Sequence, residues 1–347
     1  MDIFRKIIAG SCAALFVISG VIALLAFNIE SKVFTSATYK QAFENLNLYE
    51  RMPEILANAL YASNAEDGNA DPYLKALSVE DWKATIASLL PPEELRTITN
   101  NTLDAVFDYL NGKTDSAVIS LLPIKQHLKG DSGMEALKQI LHAQPDCTAE
   151  QLLQLGLGLF GGDITLCNPP EELMGLMTPL IESQLQVMAT AFPDEVTLIS
   201  GERTSTPEDP RLRLDRFRTL MKITPVFPLL FLFVLTIFAI RSLIDWFKWW
   251  GYPFLITGGV TSLIALLGAP VLALIIQAVL QTQGPNFIPP ILISTMSETV
   301  GAVTGQILEP VTIEGLVLAV LGLGMVIVAV YLVRKDSTKR YVIPKNN

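Results

Sequence analysis

The chain has 347 residues, of which half are hydrophobic and 17% charged, with mean hydropathy +0.42 and a formal net charge of −9. Soluble domains carry roughly 25% charged residues, so this balance excludes a wholly water-soluble protein. The length leaves room for one domain plus a bundle of membrane helices.

Residues 7–27 form a run of 21 without a charge, after a short basic start at Arg5 and Lys6. A helix rises about 1.5 Å per residue, so about 20 apolar residues cross a hydrocarbon core of about 30 Å. The run is longer than a signal-peptide core and no clear A-x-A site follows, so residues 1–28 read as an uncleaved N-terminal transmembrane anchor. Cys12, after Ala9, Gly10 and Ser11, reads as a small helix residue rather than a lipoprotein cleavage site.

Residues 29–222 read as a mostly helical domain. Residues 28–222 carry 28 acidic and 16 basic side chains, a net of −12, which excludes a nucleic-acid surface. Ser36 can cap a helix running to about Tyr61, with Tyr39, Phe43, Leu46 and Tyr49 as its inner stripe. Ser78 and Asp81 form a capping-box pattern opening a helix to Leu90. Pro91-Pro92-Glu93-Glu94-Leu95 starts another, with proline in the first turn and acids where the helix dipole favours them; Gly112 stops it. Leu103, Val106, Phe107 and Leu110 are its apolar face.

Thr148 and Gln151 repeat the capping box, and Pro169-Pro170-Glu171-Glu172-Leu173 repeats the five letters of 91–95, 78 residues later. A long helix follows to about Phe192. Each proline-led helix precedes a β-like run, 117–121 and 196–199, which if paired make a small two-stranded sheet. Duplication and coincidence, since proline then acid is a common helix start, both remain open. Cys147 and Cys167 flank the second capped helix and the turn Gly161-Gly162-Asp163. They are expected to form a disulfide, closing a loop of 20 residues. Pro207 and Pro210 mark a linker. The stretch after it, with Arg211, Arg213, Arg216, Arg218 and Lys222, reads as a helix leading into the membrane. Its basic side chains are a solvated face or a binder of anionic headgroups.

Residues 223–347 read as three membrane helices, from uncharged runs at 223–240, 252–280 and 315–333, with an outer loop at 281–314 and a short basic tail. Trp246, Phe247, Trp249, Trp250 and Tyr252 crowd a short loop and are expected to form an interfacial aromatic anchor. Thr257, Thr261, Ser262 and Gln277 are the third helix's polar side chains. Gly258, Gly259, Gly268 and Pro270 allow close packing and a kink. In the outer loop, Ile293, Met296, Val300, Val303 and Ile307 recur at helical spacing, an amphipathic helix bounded by Pro289, Pro290 and Pro310.

Lys and Arg concentrate in the N-terminal start, the loop after the second helix and the C-terminal tail, while 281–314 has neither. The positive-inside rule then puts both termini in the cytoplasm and residues 29–222 and 281–314 outside, making this a multi-pass cell-membrane protein.

No motif in the sequence carries catalytic chemistry. Gly156, Gly158 and Gly161 match G-x-G-x-x-G, but after a helical run rather than a strand, so no dinucleotide site is read there. His127 and His142 could share a metal with Asp131 or Glu135, yet exposed helix positions account for them better. Glu93, Glu94, Glu171 and Glu172 are explained by helix N-termini. Asn100-Asn101-Thr102 is a glycosylation sequon.

The Tyr39…Tyr49-Glu50-Arg51 helix, the Leu90–Leu95 segment, the Tyr109-Leu110-Asn111-Gly112 end and the Cys147…Cys167-Asn168-Pro169-Pro170 segment give the chain its resemblance. It resembles bacterial multi-pass membrane proteins with an exported helical domain, a family to which no activity is attached. The resemblance implies architecture, and no catalytic residue. The expected function is therefore non-enzymatic, without catalytic, cofactor or metal residues. The outer domain would bind an envelope protein partner, a ligand or a second copy, while the helices sit in the lipid bilayer. The alternatives are a transporter or channel component built from the C-terminal helices, and an exported hydrolase or lipid-modifying enzyme.

Overall fold

The computed structural model describes residues 2–66, 71–156, 166–200, 210–283 and 289–341. In chain order the elements are α1 (Asp2–Val33), α2 (Ser36–Asn45), α3 (Leu48–Glu66), α4 (Pro72–Lys75), α5 (Val79–Leu89), α6 (Pro92–Leu110) and β1 (Ser116–Ser120). Next come α7 (Leu122–Lys129), α8 (Asp131–His142), α9 (Ala149–Gly156), α10 (Glu171–Ala191) and β2 (Glu195–Ser200). Last are α11 (Pro210–Ile223), α12 (Val226–Ala239), α13 (Leu243–Gln283) and α14 (Pro290–Tyr341). The chain is mostly helical with one two-stranded antiparallel sheet. It forms two compact units, Met1–Thr38 with Arg203–Leu274 and Val300–Asn347, and Tyr39–Glu202 with Ile275–Thr299.

The first unit contains the apolar runs. Phe4–Val33, Arg213–Ala239, Leu243–Thr282 and Pro290–Lys335 are helical stretches long and apolar enough to cross a membrane. In α1 the buried positions Ala9, Cys12, Phe16 and Ala23 recur every three or four residues, while Phe4, Ile7, Ile18 and Ile22 are exposed. Apart from Phe16, small residues thus face neighbouring helices and large ones face away, the arrangement that lets helix backbones approach in lipid. Arg5 donates from Nε (3.2 Å) and Nη2 (2.5 Å) to the Phe238 carbonyl. That carbonyl is one of the last four of α12, which no amide within the helix satisfies.

α13 and α14 meet backbone to backbone. A Cβ at Gly258 would lie 2.3 Å from the Gly315 carbonyl oxygen, and one at Gly322 would lie 2.3 Å from the Leu255 nitrogen. A Cβ at Gly259 would touch nothing. Of the two adjacent glycines, only Gly258 is a packing residue.

Three expected boundaries differ. The helix from Ser36 breaks into α2 and α3 because Asn47 adopts φ 47, a left-handed conformation that asparagine tolerates, and Asn47 N–H closes α2 on the Glu44 carbonyl. The aromatic residues 246–252 lie not in a loop but on α13, which starts early because Ser242 and Asp245 cap it: the Ser242 hydroxyl accepts from the Asp245 amide at 3.1 Å. The helix begun at Pro290 does not end at Pro310; α14 runs through it. Proline inside a helix costs about 3 kcal/mol. Here close α13–α14 packing on both sides, at Gly268 against Leu308 and at Gly315 against Ser262, holds the helix on course.

In the second unit, the Ser78–Asp81 and Thr148–Gln151 capping boxes form as expected. Both Pro-Pro-Glu-Glu-Leu segments open helices, with Pro91 at φ −54, ψ 151 and Pro170 at φ −56, ψ 148, so the repeated letters adopt one conformation. β1 pairs antiparallel with β2, Ala117 opposite Ile199 and Val118 opposite Thr197, with a bulge between. The core centres on α3 and α6. Tyr49, 1% exposed, donates from its hydroxyl to Asn100 Oδ1 at 3.0 Å. Tyr39 and Phe107 pack ring to ring at 4.9 Å. Burial pushes the Tyr49 phenol above its ordinary value; Glu44 and Glu50 push the same way and Arg96 opposes them.

Candidate functional site

An apolar recess of the second unit lies between two helix faces. α8 contributes Gly133, Ala136, Leu137, Ile140 and Leu141, and α10 contributes Met177, Ile181, Leu185 and Met188. Both sets recur at three- and four-residue spacing, one stripe on each helix. Leu89 of α5 and Leu128 of α7 close one end, and Leu166, Cys167 and Pro169 form a wall. The cavity has a volume of about 490 Å³, and among the described residues lining it Gln184 alone has a side chain with hydrogen-bonding groups. That volume falls within the range of small-molecule sites. The lining offers burial of apolar surface and one amide for orientation; it has no nucleophile, acid or base.

Local sequence explains each wall. α7 and α8 join at Gly130 in a tight corner, and a Cβ at Gly133 would lie 2.1 Å from the Leu128 carbonyl oxygen, so only glycine lets α8 leave α7 that closely. Cys147 and Cys167 are joined by a disulfide. Beside it the Cys147 amide donates to the Asn168 carbonyl at 3.0 Å, and the Asn168 amide donates to the Pro145 carbonyl at 2.9 Å. Together these fix the Leu166–Pro169 wall to the chain leaving α8. Lys125 donates to Asp194 Oδ1 at 2.6 Å and to the Phe192 carbonyl at 3.1 Å, tying α7 to the turn between α10 and β2. Its ammonium holds the Asp194 carboxyl below the usual carboxylate range.

The sequence signalled the disulfide but missed this cavity. α7 and α8 carry no capping box, and between 122 and 142 only His127 and His142 were read as helix positions, with no apolar face assigned. The α8 stripe was nonetheless present at helical spacing, and reading it against the stripe of α10 would have found the recess.

The remaining candidates are placed as follows. His127 Nδ1 lies 3.2 Å from Ser132 Oγ and its Nε2 lies 3.6 Å from Glu94; His142 is exposed. Among the described residues no three His, Cys, Asp or Glu side chains gather as a metal site. Asn100 is engaged by Tyr49 in the middle of α6, so the sequon's amide is held inside the fold. Gly156 ends α9, and Gly158, Gly161 and the turn at 161–163 lie outside the described residues, as does Pro207.

In the first unit Trp246 meets Trp250 edge to face (5.4 Å between centroids), Trp250 meets Phe254 at a tilt (5.7 Å) and Phe254 stacks on Phe16 (5.5 Å). Trp250 also donates from Nε1 to Thr236 Oγ1 at 3.1 Å, and Trp249 packs near buried Leu235. These tryptophans join helices; Tyr252 is exposed. Of the amphipathic set, Ile293, Val300, Val303 and Ile307 are half-buried and Met296 is exposed, while Thr295 and Ser297 beside it are buried.

Of the basic stretch before α12, Arg213 and Arg216 are exposed, while Arg218 and Lys222 are engaged by a carboxylate. Glu30, 7% exposed, accepts from Arg218 Nε at 3.1 Å and Nη2 at 3.0 Å, and Lys222 Nζ lies 3.4 Å away. Asn28 donates to Glu314 Oε2 at 2.7 Å. The C-terminal ends of α1 and α11 and the middle of α14 therefore share one polar level. Along α1, Glu30 stands 25 residues from Arg5, about 38 Å at the helical rise.

No known protein family, characterised protein or solved structure matches this chain.

Proposed function

We propose that this is a non-enzymatic envelope protein whose exported helical domain binds a long-chain apolar ligand, such as a fatty acyl chain, between α8 and α10. The cavity of about 490 Å³ with one hydrogen-bonding side chain carries this reading. Each methylene withdrawn from water contributes about 0.8 kcal/mol, so a chain of about twelve supplies roughly 10 kcal/mol. Lost freedom on binding costs at least about 4 kcal/mol. A Kd of the order of tens of micromolar remains.

The exported placement is part of the proposal. Two independent features support it: the Lys and Arg bias of the flanking segments, and a disulfide, which persists in oxidising compartments. A cysteine introduced at exposed Lys129 should react with a membrane-impermeant maleimide in intact cells; protection until lysis would reverse the orientation.

Ligand binding is tested on the whole protein in detergent, by titrating a fluorescent fatty acid. Saturable binding is expected, weakened at least tenfold by Ala136→Trp or Ile181→Arg and unchanged by Leu176→Arg, whose side chain is 75% exposed. Equal signals from all four proteins would end the proposal.

A further inference from the structure

A second recess lies wholly within the first unit, among α1, α12, α13 and α14. It has a volume of about 640 Å³. Phe16, Ala23, Leu229 and Leu232 give it apolar walls, Lys222 and Glu314 lie at it, and Thr257 lines it. Two observations distinguish it from a gap between helices. The first is Thr257. The residue is fully buried and its hydroxyl meets no hydrogen-bond partner. Thr236 and Thr312 of this unit return their hydroxyls to the carbonyl four residues earlier, at Leu232 and Leu308; Thr261, one turn along α13, is buried without a partner as Thr257 is, but it does not line the recess. A buried hydroxyl left without a partner is costly, and one that lines an otherwise apolar recess points to a ligand acceptor.

The second observation is the charge pattern. Arg218 and Lys222 both lie against one carboxylate, Glu30, with Arg218 the nearer; Lys222 stands 3.4 Å from it with a side chain 57% exposed, open to a second anion. Glu314 supplies a carboxylate that accepts from the neutral Asn28 amide at 2.7 Å. The recess therefore carries a cation and an anion at its polar level. A Cβ at Gly20 would lie 2.9 Å from Thr257 Cγ2, and Gly20 is eight residues from Asn28, so the hydroxyl lies about 12 Å deeper along α1.

We propose that this recess seats one glycerophospholipid with a phosphoethanolamine headgroup, taken from the surrounding bilayer. Lys222 pairs with the phosphate, Glu314 accepts from the ammonium, Thr257 donates to an ester carbonyl, and an acyl chain lies against Phe16, Ala23 and Leu232. Charge complementarity selects the zwitterion. A phosphoglycerol headgroup would satisfy Lys222 but set a bare phosphate beside Glu314, and like charges in a partly dry site repel. The site is independent of the α8–α10 cavity.

The test uses the full chain in nanodiscs containing equal amounts of phosphatidylethanolamine and phosphatidylglycerol, followed by transfer to detergent and native mass spectrometry of retained lipid. One phosphatidylethanolamine per chain is expected, at least about fivefold over phosphatidylglycerol. Lys222→Gln should lower retention about fivefold, in line with a partly exposed ion pair, and Thr257→Val about threefold, in line with one hydrogen bond. Glu314→Gln should remove the headgroup preference while keeping a lipid. Leu229→Trp, whose side chain is 64% exposed on the recess and supports no core, should expel the lipid without altering fatty-acid binding. Equal retention of the two lipids by the parent protein, or retention unchanged in both Lys222→Gln and Leu229→Trp, would overturn the assignment. Circular dichroism of each variant separates lost lipid from lost fold. Fatty-acid titration of the same samples separates failure here from failure of the domain's own site.

Discussion

The two units bury opposite kinds of residue. In the Tyr39–Glu202 unit the inside is large and apolar or aromatic: Tyr49, Leu77, Phe107, Met134 and Leu141. In the first unit the inside is mostly small or hydroxylated, with Ala9, Cys12, Ala23, Thr257, Thr261 and Ser262 joined by the larger Phe16, Leu235 and Val311, while Leu229, Phe233, Leu266 and Val320 are turned outward. Water drives large side chains inward in one case. Lipid gives no such drive in the other, and close backbone packing takes its place. Large apolar side chains therefore fill the core of one unit and mostly cover the outside of the other, Leu235 being a buried exception.

The sharpest way to break this comparison is at Gly258. Gly258→Leu must push α13 off α14, and overpacking of this kind costs about 3 kcal/mol or more. The variant should lose its monodisperse elution in mild detergent, while Gly259→Leu elutes as the parent. Equal behaviour of the two would mean that backbone contact does not organise the first unit.

Next in size is the disulfide. Replacing Cys147 and Cys167 together by serine should cost about 3 kcal/mol through loop-closure entropy, read as a lower denaturation midpoint of the second unit. The first unit, which holds only the buried thiol Cys12, should be unaffected by the same change or by reductant.

Tyr49→Phe removes one hydrogen bond from the second unit's core. It leaves Asn100 Oδ1 without that donor, for a loss of about 1 kcal/mol by chemical denaturation. The parent should also lose stability in alkali. The raised phenol pKa means its stabilisation is complete below the unfolded tyrosine pKa and disappears as pH rises through the folded value. Tyr49→Phe should flatten that limb of the pH profile.

The smallest effect belongs to Asp194. Its carboxyl is lowered by the hydrogen bond from Lys125, so its contribution is present above the unfolded carboxylate pKa and is lost as pH falls through the folded value. Asp194→Asn should shift the melting temperature slightly near neutrality and not at all in strong acid.

Legibility from sequence follows the same division. Capping boxes, proline-led helices and the pairing of two β-like runs were readable because each is a local rule obeyed within a few residues. Asn47 and Ser242 were readable too, as a left-handed asparagine and an N-cap, but a continuous apolar stripe outweighed the first and an aromatic cluster the second. Pro310 misled because its helical partner lies about 40 residues away at Gly268. The Glu30–Arg218 pair, 188 residues apart, had no local signal at all. In the first unit the apolar runs located the helices but not their contact faces, since the informative stripe was one of glycine, alanine and threonine.

The bond between Cys147 and Cys167 also sets a clock on biosynthesis. A newly made chain still holding both thiols has α8 and α10 but lacks the covalent tie that fixes the Leu166–Pro169 wall. The finished cavity is then a product of maturation, completed when two electrons are taken from the chain. The supply of oxidant, ahead of any supply of ligand, would govern how fast the mature form accumulates.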